Sequence, residues 1–267
     1  MGPRGSRFQL KPRTNRPGRR RRELGRMSVL GPVESTYLGS RDSARGALRL
    51  LRHALLRLEE DESWFSDLAD ADGTLFDLAA QAEVMRRMTA PVGQVVQLGP
   101  EFRDAWENRD LDPALHRKVY LEVLRSSGVL DGQAERLYER LIDTDFWTPY
   151  PDAADVLRRV HEAGIKIGVI SNIAFDIRPA FERIGVTRYV DEFLLSYLEG
   201  VIKPDSKIFL RACERLDVAP GEALMVGDSE EADGGAAAVG CQVAIVDPVS
   251  TTERPDGLLT AVRDVLR

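Results

Sequence analysis

Two carboxylates follow a short apolar run near the end of the chain, and their spacing suits a metal site. Residues 224–226 lead into Gly227 and Asp228, and Asp233 follows at the start of a predicted helix. Mg²⁺ prefers oxygen ligands and keeps several waters, so two or three carboxylates are enough to bind it. Asp228 and Asp233 are therefore the predicted metal-site acids, although Asp228 or Ser229 would also serve as a plain helix cap.

Two further segments carry residues that can bind an anion. Ser171 and Asn172 follow the apolar run Ile165–Ile170, where a hydroxyl and exposed N–H groups can hold a phosphoryl oxygen. Lys203 precedes Pro204, and a lysine there can offset the charge of a phosphate or a carboxylate. Taken alone, each of these residues also fits an ordinary loop.

Strands and helices alternate after residue 150, and this alternation predicts a parallel sheet covered on both faces. The apolar patterns predict strands at 165–170, 193–196, 223–226 and 241–246, and helices at 153–162, 177–184, 204–216 and 231–239. Ligands collect at the carboxyl ends of strands in such sheets, so the residues named above should meet there. Gly234 and Gly235 should let the last of these helices pack closely.

The middle of the chain has a different pattern. Residues 79–148 show helical apolar spacing with no strand signal, which predicts an all-helical insert. Residues 46–58 place leucines at 48, 51, 55 and 58, and this spacing of three and four, read alone, also predicts a helix.

Three segments together resemble motifs two, three and four of the haloacid dehalogenase-like hydrolase superfamily. They are Val-Ile-Ser-Asn (169–172), Gly-Val-Ile-Lys-Pro-Asp (200–205) and Val-Gly-Asp-Ser-Glu-Glu-Ala-Asp (226–233). The resemblance covers about residues 150–250. It implies an α/β fold, with a Rossmann-like parallel sheet core and an inserted all-helical cap. The implied domains are a basic, disordered extension at 1–45, a core at 46–60 and 149–267, and a cap at 61–148.

The resemblance also implies a chemistry. It makes Ser171 a phosphate donor with Asn172 beside it, Lys203 the charge stabiliser, and Asp228 and Asp233 the acids of a Mg²⁺ site. The expected function is a Mg²⁺-dependent phosphatase that acts on a small phosphorylated metabolite through an aspartyl-phosphate. Two alternatives stay open: a dehalogenase-type hydrolase on the same fold, and an inactive binding protein that kept the fold.

The nucleophile of the first motif has two competing placements. The literal match is Asp70-Ala71-Asp72-Gly73-Thr74, with Asp70 as nucleophile and Asp72 as general acid–base. Against this placement, residues 61–69 contain two serines and three acids in place of the continuous apolar run that a buried strand needs. An Asp-Gly pair also marks surface turns.

The second placement lies at residues 46–59. Relatives with this kind of cap carry a stretch like Gly-Val-Leu-Phe-Asp-Phe-Ser-Gly-Thr-Leu-Phe-Arg there, and an ungapped alignment puts Leu50 at the nucleophile. Arg52, His53 and Ala54 then replace Ser-Gly-Thr. A leucine cannot attack phosphorus, so we hypothesise a reading-frame slip, since a one-base shift can turn codons for Ser-Gly-Thr into Arg-His-Ala. A genuine inactive relative is the other explanation.

Composition narrows the remaining possibilities. The 267 residues are 43% hydrophobic, with no apolar run of about 20 residues, and the two cysteines form no CxxC pair, so a cytoplasmic protein is expected. Residues 1–26 carry ten Lys/Arg and one acid, which leaves about −15 on residues 27–267. This acidic body argues against nucleic acid as the main partner. A small molecule is the expected partner, no membrane is expected, and the oligomeric state is left open.

Overall fold

The computed structural model describes residues 48–59, 64–65, 68–69, 73–89 and 98–267, with side chains from residue 54 onward. The predicted basic extension at 1–45 lies outside the described residues, as do Asp70 and Asp72. Among the helices that the structure describes, none combines the length and apolar character needed to cross a bilayer.

The centre of the molecule is a five-stranded parallel sheet with the strand order β5-β4-β1-β6-β7. Its strands are β1 (Leu48–Leu51), β4 (Ile167–Ser171), β5 (Glu192–Leu195), β6 (Leu224–Gly227) and β7 (Gln242–Ile245). All five residues of β4 are buried, as expected for a strand covered on both faces. The sheet confirms the predicted α/β class with a Rossmann-like core.

The four predicted helices of the core occur in the predicted order, but the one predicted at 231–239 is an α-helix only to Asp233 and continues as a 3-10 helix over Gly234–Val239. The helices of the core are α6 (Ala153–Glu162), α7 (Arg178–Arg183), α8 (Ser196–Glu199), α9 (Ser206–Arg215), α10 (Glu230–Asp233) and α11 (Gly257–Ala261). The short helices α8 and α11 were not predicted. The prediction for α6 matches at both ends, because four residues at helical spacing bury one face: Ala153, Val156, Leu157 and Val160. Gly164, with φ of +75°, then turns the chain away from that helix.

The helix predicted over residues 46–58 is wrong. This segment instead forms β1, a four-residue helix α1 (Arg52–Leu55), and the strand β2 (Leu56–Leu58). Leu48 pairs with Ile167 of β4 and with Leu224 of β6, so β1 lies at the centre of the sheet. A central parallel strand needs a continuous apolar run, and a run of closely spaced leucines satisfies that need as readily as a helix face.

The insert between the two parts of the core is helical over its described residues, as predicted. Its helices are α2 (Leu78–Thr89), α3 (Arg103–Glu107), α4 (Pro113–Arg125) and α5 (Asp131–Ile142). The strand β3 (Trp147–Pro149) pairs antiparallel with β2, so that Leu56 lies opposite Pro149 and Leu58 opposite Trp147. This two-stranded ribbon carries the chain into the helical cap and back out of it. The predicted domain boundaries at residues 60 and 148 remain a prediction.

Candidate active site

A cavity of about 430 Å³ opens at the carboxyl ends of the strands, beneath the helical cap. Its core side is lined by Ser171, Asn172, Lys203, Asp228 and Asp233. The chain reaches this cavity from three loops that follow β4, β5 and β6, and these loops are far apart in sequence. The structure therefore brings together all five of these predicted site residues.

Ser171 and Asn172 divide two tasks at the end of β4. The Ser171 side chain is buried and borders the cavity. The Asn172 amide instead holds the next loop: its Nδ2 donates to the Lys203 carbonyl at 2.9 Å, and its Oδ1 accepts from the Lys203 N–H at 2.8 Å. This closed pair of hydrogen bonds fixes the backbone from which Lys203 projects, so Asn172 acts here as a positioning residue.

Lys203 and Asp233 form a buried ion pair. The Lys203 Nζ lies 2.9 Å from the Asp233 Oδ1, with the two side chains 6% and 1% exposed. The other oxygen of Asp233 accepts from the backbone N–H groups of Asp228 and Ser229, at 3.1 and 3.0 Å. Gly227 makes room for this carboxylate, because a Cβ there would lie 2.2 Å from Asp233 Oδ2. Both oxygens of Asp233 are therefore engaged.

Asp228, the other predicted metal-site acid, lines the cavity and is half-buried. Burial raises its pKa to about 6, and the nearby negative charge of Asp233 adds to the effect. Lys203 and Arg254 act in the opposite direction. Ser229 fills the alternative role considered for this loop, since its hydroxyl accepts from the Ala232 N–H at 3.2 Å and caps α10.

The fit of a divalent cation rests on Asp228. A half-buried carboxylate with a raised pKa is one that a nearby cation would stabilise in its charged form. The side chains that the structure describes include no group of three His, Cys, Asp or Glu residues arranged to hold a metal. Mg²⁺ tolerates one or two carboxylates with waters completing its shell, so Asp228 fits as a ligand. The assignment of Asp233 as a direct ligand stays a prediction.

The backbone of β1 runs between β4, which ends at Ser171, and β6, which is followed by Asp228. Leu50 pairs with Val169 and with Val226, two residues before Ser171 and Asp228 respectively. The residues that flank the literal Asp-Ala-Asp-Gly-Thr motif do not join this sheet. Ala69 instead forms an isolated antiparallel bridge with Leu75.

The cap side of the cavity includes residues that the sequence analysis did not single out. Arg57, Arg109 and His116 line it, and His116 is buried. The His116 ring packs against Tyr120 with centroids 4.3 Å apart, and its Nδ1 lies 3.0 Å from the Tyr138 hydroxyl. The sequence did offer one indication that Arg57 lies near the site, because Arg57 aligns with the arginine that ends the first-motif stretch quoted above. Arg109 and His116 lie in a segment whose apolar spacing predicts only ordinary helices.

The segment after β7 also reaches toward the site. Arg254 is buried, stacks on the Tyr150 ring with 3.2 Å between its Cζ and the ring centroid, and donates to the Ala54 carbonyl. Thr251 donates through both its N–H and its hydroxyl to the Glu59 carboxylate. These contacts tie the C-terminal segment to the residues that follow β1.

A parallel sheet with a helical cap, and a serine, a lysine and an aspartate at three strand ends, defines a protein with a Rossmann-like α/β core and a capped ligand site. The family description "haloacid dehalogenase-like hydrolase" matches residues 68–240. The chain belongs to this family of hydrolases.

Two curated relatives are phosphatases by name. Ribulose-1,5-bisphosphate 5-phosphatase of Halopiger xanaduensis is 40% identical over 112 residues, which are 39% of this chain and 47% of the relative. Glyceraldehyde 3-phosphate phosphatase of Methanopyrus kandleri is 31% identical over 180 residues, which are 62% of this chain and 76% of the relative. The match thus spans just under half of the first relative's length.

Similar solved structures include dehalogenases. One dehalogenase superposes with a TM-score of 0.60 at 21% identity, over 85% of this chain and 100% of its own. The L-2-haloacid dehalogenase of Xanthobacter autotrophicus superposes with a TM-score of 0.56 at 22% identity, over 80% of this chain and 82% of its own. At these identities the likeness establishes the shared fold.

Proposed function

We propose that this protein is a Mg²⁺-dependent phosphatase of the haloacid dehalogenase type, acting on a small phosphorylated metabolite. One observation carries the proposal: Ser171, Lys203 and Asp228, from three different strand ends, line one cavity beneath a helical cap. A hydroxyl, a fixed cation and a metal-binding carboxylate around one cavity suit a phosphoryl group. The phosphatase names of both curated relatives support this choice.

In this proposal the residues of the chain have separate tasks. Ser171 donates a hydrogen bond to a phosphoryl oxygen, and Lys203 offsets the negative charge that develops on that group. Asn172 and Asp233 hold Lys203 in place through the contacts described above. A bound Mg²⁺ near Asp228 would supply further stabilisation of negative charge on phosphate oxygens. The cap limits the access of water to the cavity.

The nucleophile belongs to the carboxyl end of β1. A carboxylate there would attack phosphorus, the phosphorus–oxygen bond to the leaving alcohol would break, and water would later hydrolyse the aspartyl-phosphate. The central position of β1 supports residue 50 as this site, where the chain has leucine. Asp70, with Asp72 as acid–base, is the alternative nucleophile.

Phosphate release from a panel of phosphomonoesters tests the function. We expect the chain with Leu50 to be inactive, and Leu50→Asp combined with Arg52→Ser and His53→Gly to restore Mg²⁺-dependent release. Adding Asp228→Asn to the restored chain should reduce the rate at least about a hundredfold, the scale of losing one stabilising group in such a site. A restored chain that folds and releases no phosphate would overturn the proposal. Activity of the unaltered chain that Asp70→Asn abolishes would move the nucleophile to Asp70.

A dehalogenase-type hydrolase is the second candidate, and one observation favours it. The Asp233 carboxylate is occupied by Lys203 and two backbone N–H groups, which leaves few acids for a metal among the described side chains. A metal-independent attack on carbon needs no such acids. Halide release from 2-haloacids by the restored chain in EDTA, without phosphate release in Mg²⁺, would favour this candidate.

The third candidate is a binding protein without turnover. Its support is the leucine at residue 50. An intact reading frame in the gene, together with binding of Mg²⁺ and inorganic phosphate by the inactive chain, would favour it over an enzyme.

A further inference from the structure

The cap side of the active-site cavity is lined by three arginines. Arg57 lies on β2, Arg86 lies on α2, and Arg109 follows α3. They border the same cavity as Ser171 and Lys203, the residues to which the proposed function assigns the phosphoryl group. Guanidinium groups are suited to carboxylates and phosphates because their planar donors can form two parallel hydrogen bonds.

Two of these arginines have few partners. The Arg57 Nη1 donates to the Pro248 carbonyl at 2.7 Å, and the Arg57 side chain also hydrogen-bonds to Tyr150. None of the ion pairs among the described side chains includes Arg57. Arg109 lies 3.7 Å from the Asp110 carboxylate, a long contact, and its Nε is buried with no hydrogen-bond partner in the described structure. Arg86, by contrast, is held by two 2.8 Å hydrogen bonds to Glu83.

Arg109 is nevertheless held in a fixed position. Its Nη1 donates to the Trp106 carbonyl at 2.7 Å, and its guanidinium stacks over the Trp106 ring at 4.2 Å from the centroid. A guanidinium that lines the cavity and is positioned in advance loses little conformational entropy when it binds an anion.

Three acids line the cavity, Asp110, Asp228 and Asp233, and Asp110 makes the 3.7 Å contact with Arg109. Lys203 and Asp233 neutralise each other, and Asp228 is assigned to the metal site in the proposed function. Arg57 also lines a second cavity, of about 450 Å³, together with Leu58, Arg86 and Thr89. Arg57 and Arg86 thus border both spaces, so a substrate could extend from Lys203 past Arg57.

We propose that Arg57 and Arg109 bind a second anionic group of the substrate, a carboxylate or a second phosphate. The substrate class is then a small phosphorylated metabolite with negative charge at both ends. This inference rests on the proposed function for the phosphoryl end at Ser171 and Lys203. It adds a subsite on the cap side, with Arg57 and Arg109 as specificity-determining residues.

Binding to the full chain in Mg²⁺ tests the subsite without turnover, by isothermal titration calorimetry. The probes are two matched pairs: 3-phosphoglycerate against glycerol 3-phosphate, and fructose 1,6-bisphosphate against fructose 6-phosphate. We expect the doubly anionic probe of at least one pair to bind about tenfold more tightly, as expected for one charge-assisted hydrogen-bonded contact. The pair that shows the preference identifies the second group as carboxylate or phosphate.

The preference should depend on particular arginines. Arg57→Gln and Arg109→Gln should each reduce it to about threefold or less, and Arg57→Lys should retain part of it, since charge persists. Arg87→Gln is the control, because it removes the same charge from an arginine that pairs with Glu83 and does not line the cavity. Circular dichroism and thermal melting of each variant would verify folding. Equal affinities within both pairs, or a preference unchanged in both cavity variants, would overturn the subsite.

The proposed function and the subsite fail in distinguishable ways. If the chain with aspartate restored at residue 50 hydrolyses none of the probes but the binding preference holds, the phosphatase proposal fails and the subsite stands. If it hydrolyses both members of each pair with the same kcat/KM, and Arg57→Gln changes neither rate, the subsite fails and the phosphatase proposal stands.

Discussion

The Lys203 Nζ and the Asp233 Oδ1 lie 2.9 Å apart, and both side chains are buried. The pair joins the loop before α9 to the end of α10, across the carboxyl ends of the sheet. Its lysine borders the cavity, so the same contact supports the fold and positions a charge for the proposed reaction.

Removal of one member of this pair should be costly. Asp233→Asn and Lys203→Met should each lower the free energy of unfolding by about 3–5 kcal/mol, because each leaves the partner charge buried and unpaired. Chemical denaturation would measure this loss. Lys207→Met is the control: Lys207 is exposed and 4.0 Å from Asp205, so a loss below about 0.5 kcal/mol is expected. If Lys207→Met lowered the free energy of unfolding as much as the two test variants, the buried Lys203–Asp233 ion pair would not be the cause of the loss.

Asp228 should make the stability of the metal-free protein depend on pH. Its pKa is raised from 3.8 to about 6 in the folded protein, so the folded state favours the protonated carboxyl. That stabilisation is fully present below about pH 4 and is lost as the pH rises through 6, a change of about 3 kcal/mol at 1.36 kcal/mol per pKa unit. Denaturation of wild type and Asp228→Asn in EDTA would show it. A wild-type-minus-variant difference that stays constant from pH 4 to pH 7 would refute this.

Mg²⁺ should stabilise the folded protein through the same residue. At neutral pH a concentration one hundred times the Kd should add about 2.7 kcal/mol to the free energy of unfolding. Thermal melting with and without Mg²⁺ would detect it, and Asp228→Asn should abolish the shift. Asp110→Asn, at another acid that lines the cavity, should keep it. An equal shift in the two variants would mean that Mg²⁺ binds elsewhere.

Two adjacent glycines should respond differently to alanine. A Cβ at Gly235 would lie 2.7 Å from the Pro204 carbonyl oxygen, whereas at Gly234 the nearest atom is 3.9 Å away. Gly235→Ala should therefore cost about 1–3 kcal/mol of stability, the usual cost of overpacking, and disturb the loop that carries Lys203. Gly234→Ala should be close to neutral. Melting temperatures of the two variants would compare them, and equal values would be inconsistent with this packing.

The reading-frame slip that we hypothesise for Leu50 can be tested on the gene. If such a slip produced this leucine, resequencing the DNA around codons 30–60 should restore an Asp codon at that position and Ser-Gly-Thr codons at 52–54. An unbroken frame across those codons would rule the slip out and leave the inactive relative or Asp70 as explanations.

The sequence alone was sufficient for the α/β class, the helical cap and the five residues that meet at the cavity. Alternation of buried strands with helices is a local property of the chain, and the rule that ligands bind at strand ends then brings Ser171, Lys203 and Asp228 together. The helix α6 was predicted at its observed bounds because its apolar spacing has only one interpretation.

Only the tertiary structure decided the rest. Leucines at 48 and 51 fit a helix face or a buried strand equally well, and the pairing of β1 with β4 and β6 selected the strand. The contacts of Arg57, Arg109 and Asp233 also depend on neighbours distant in sequence. Local periodicity records which side of an element is apolar, but burial and charge pairing arise from contacts between elements, and those exist only once the chain has folded.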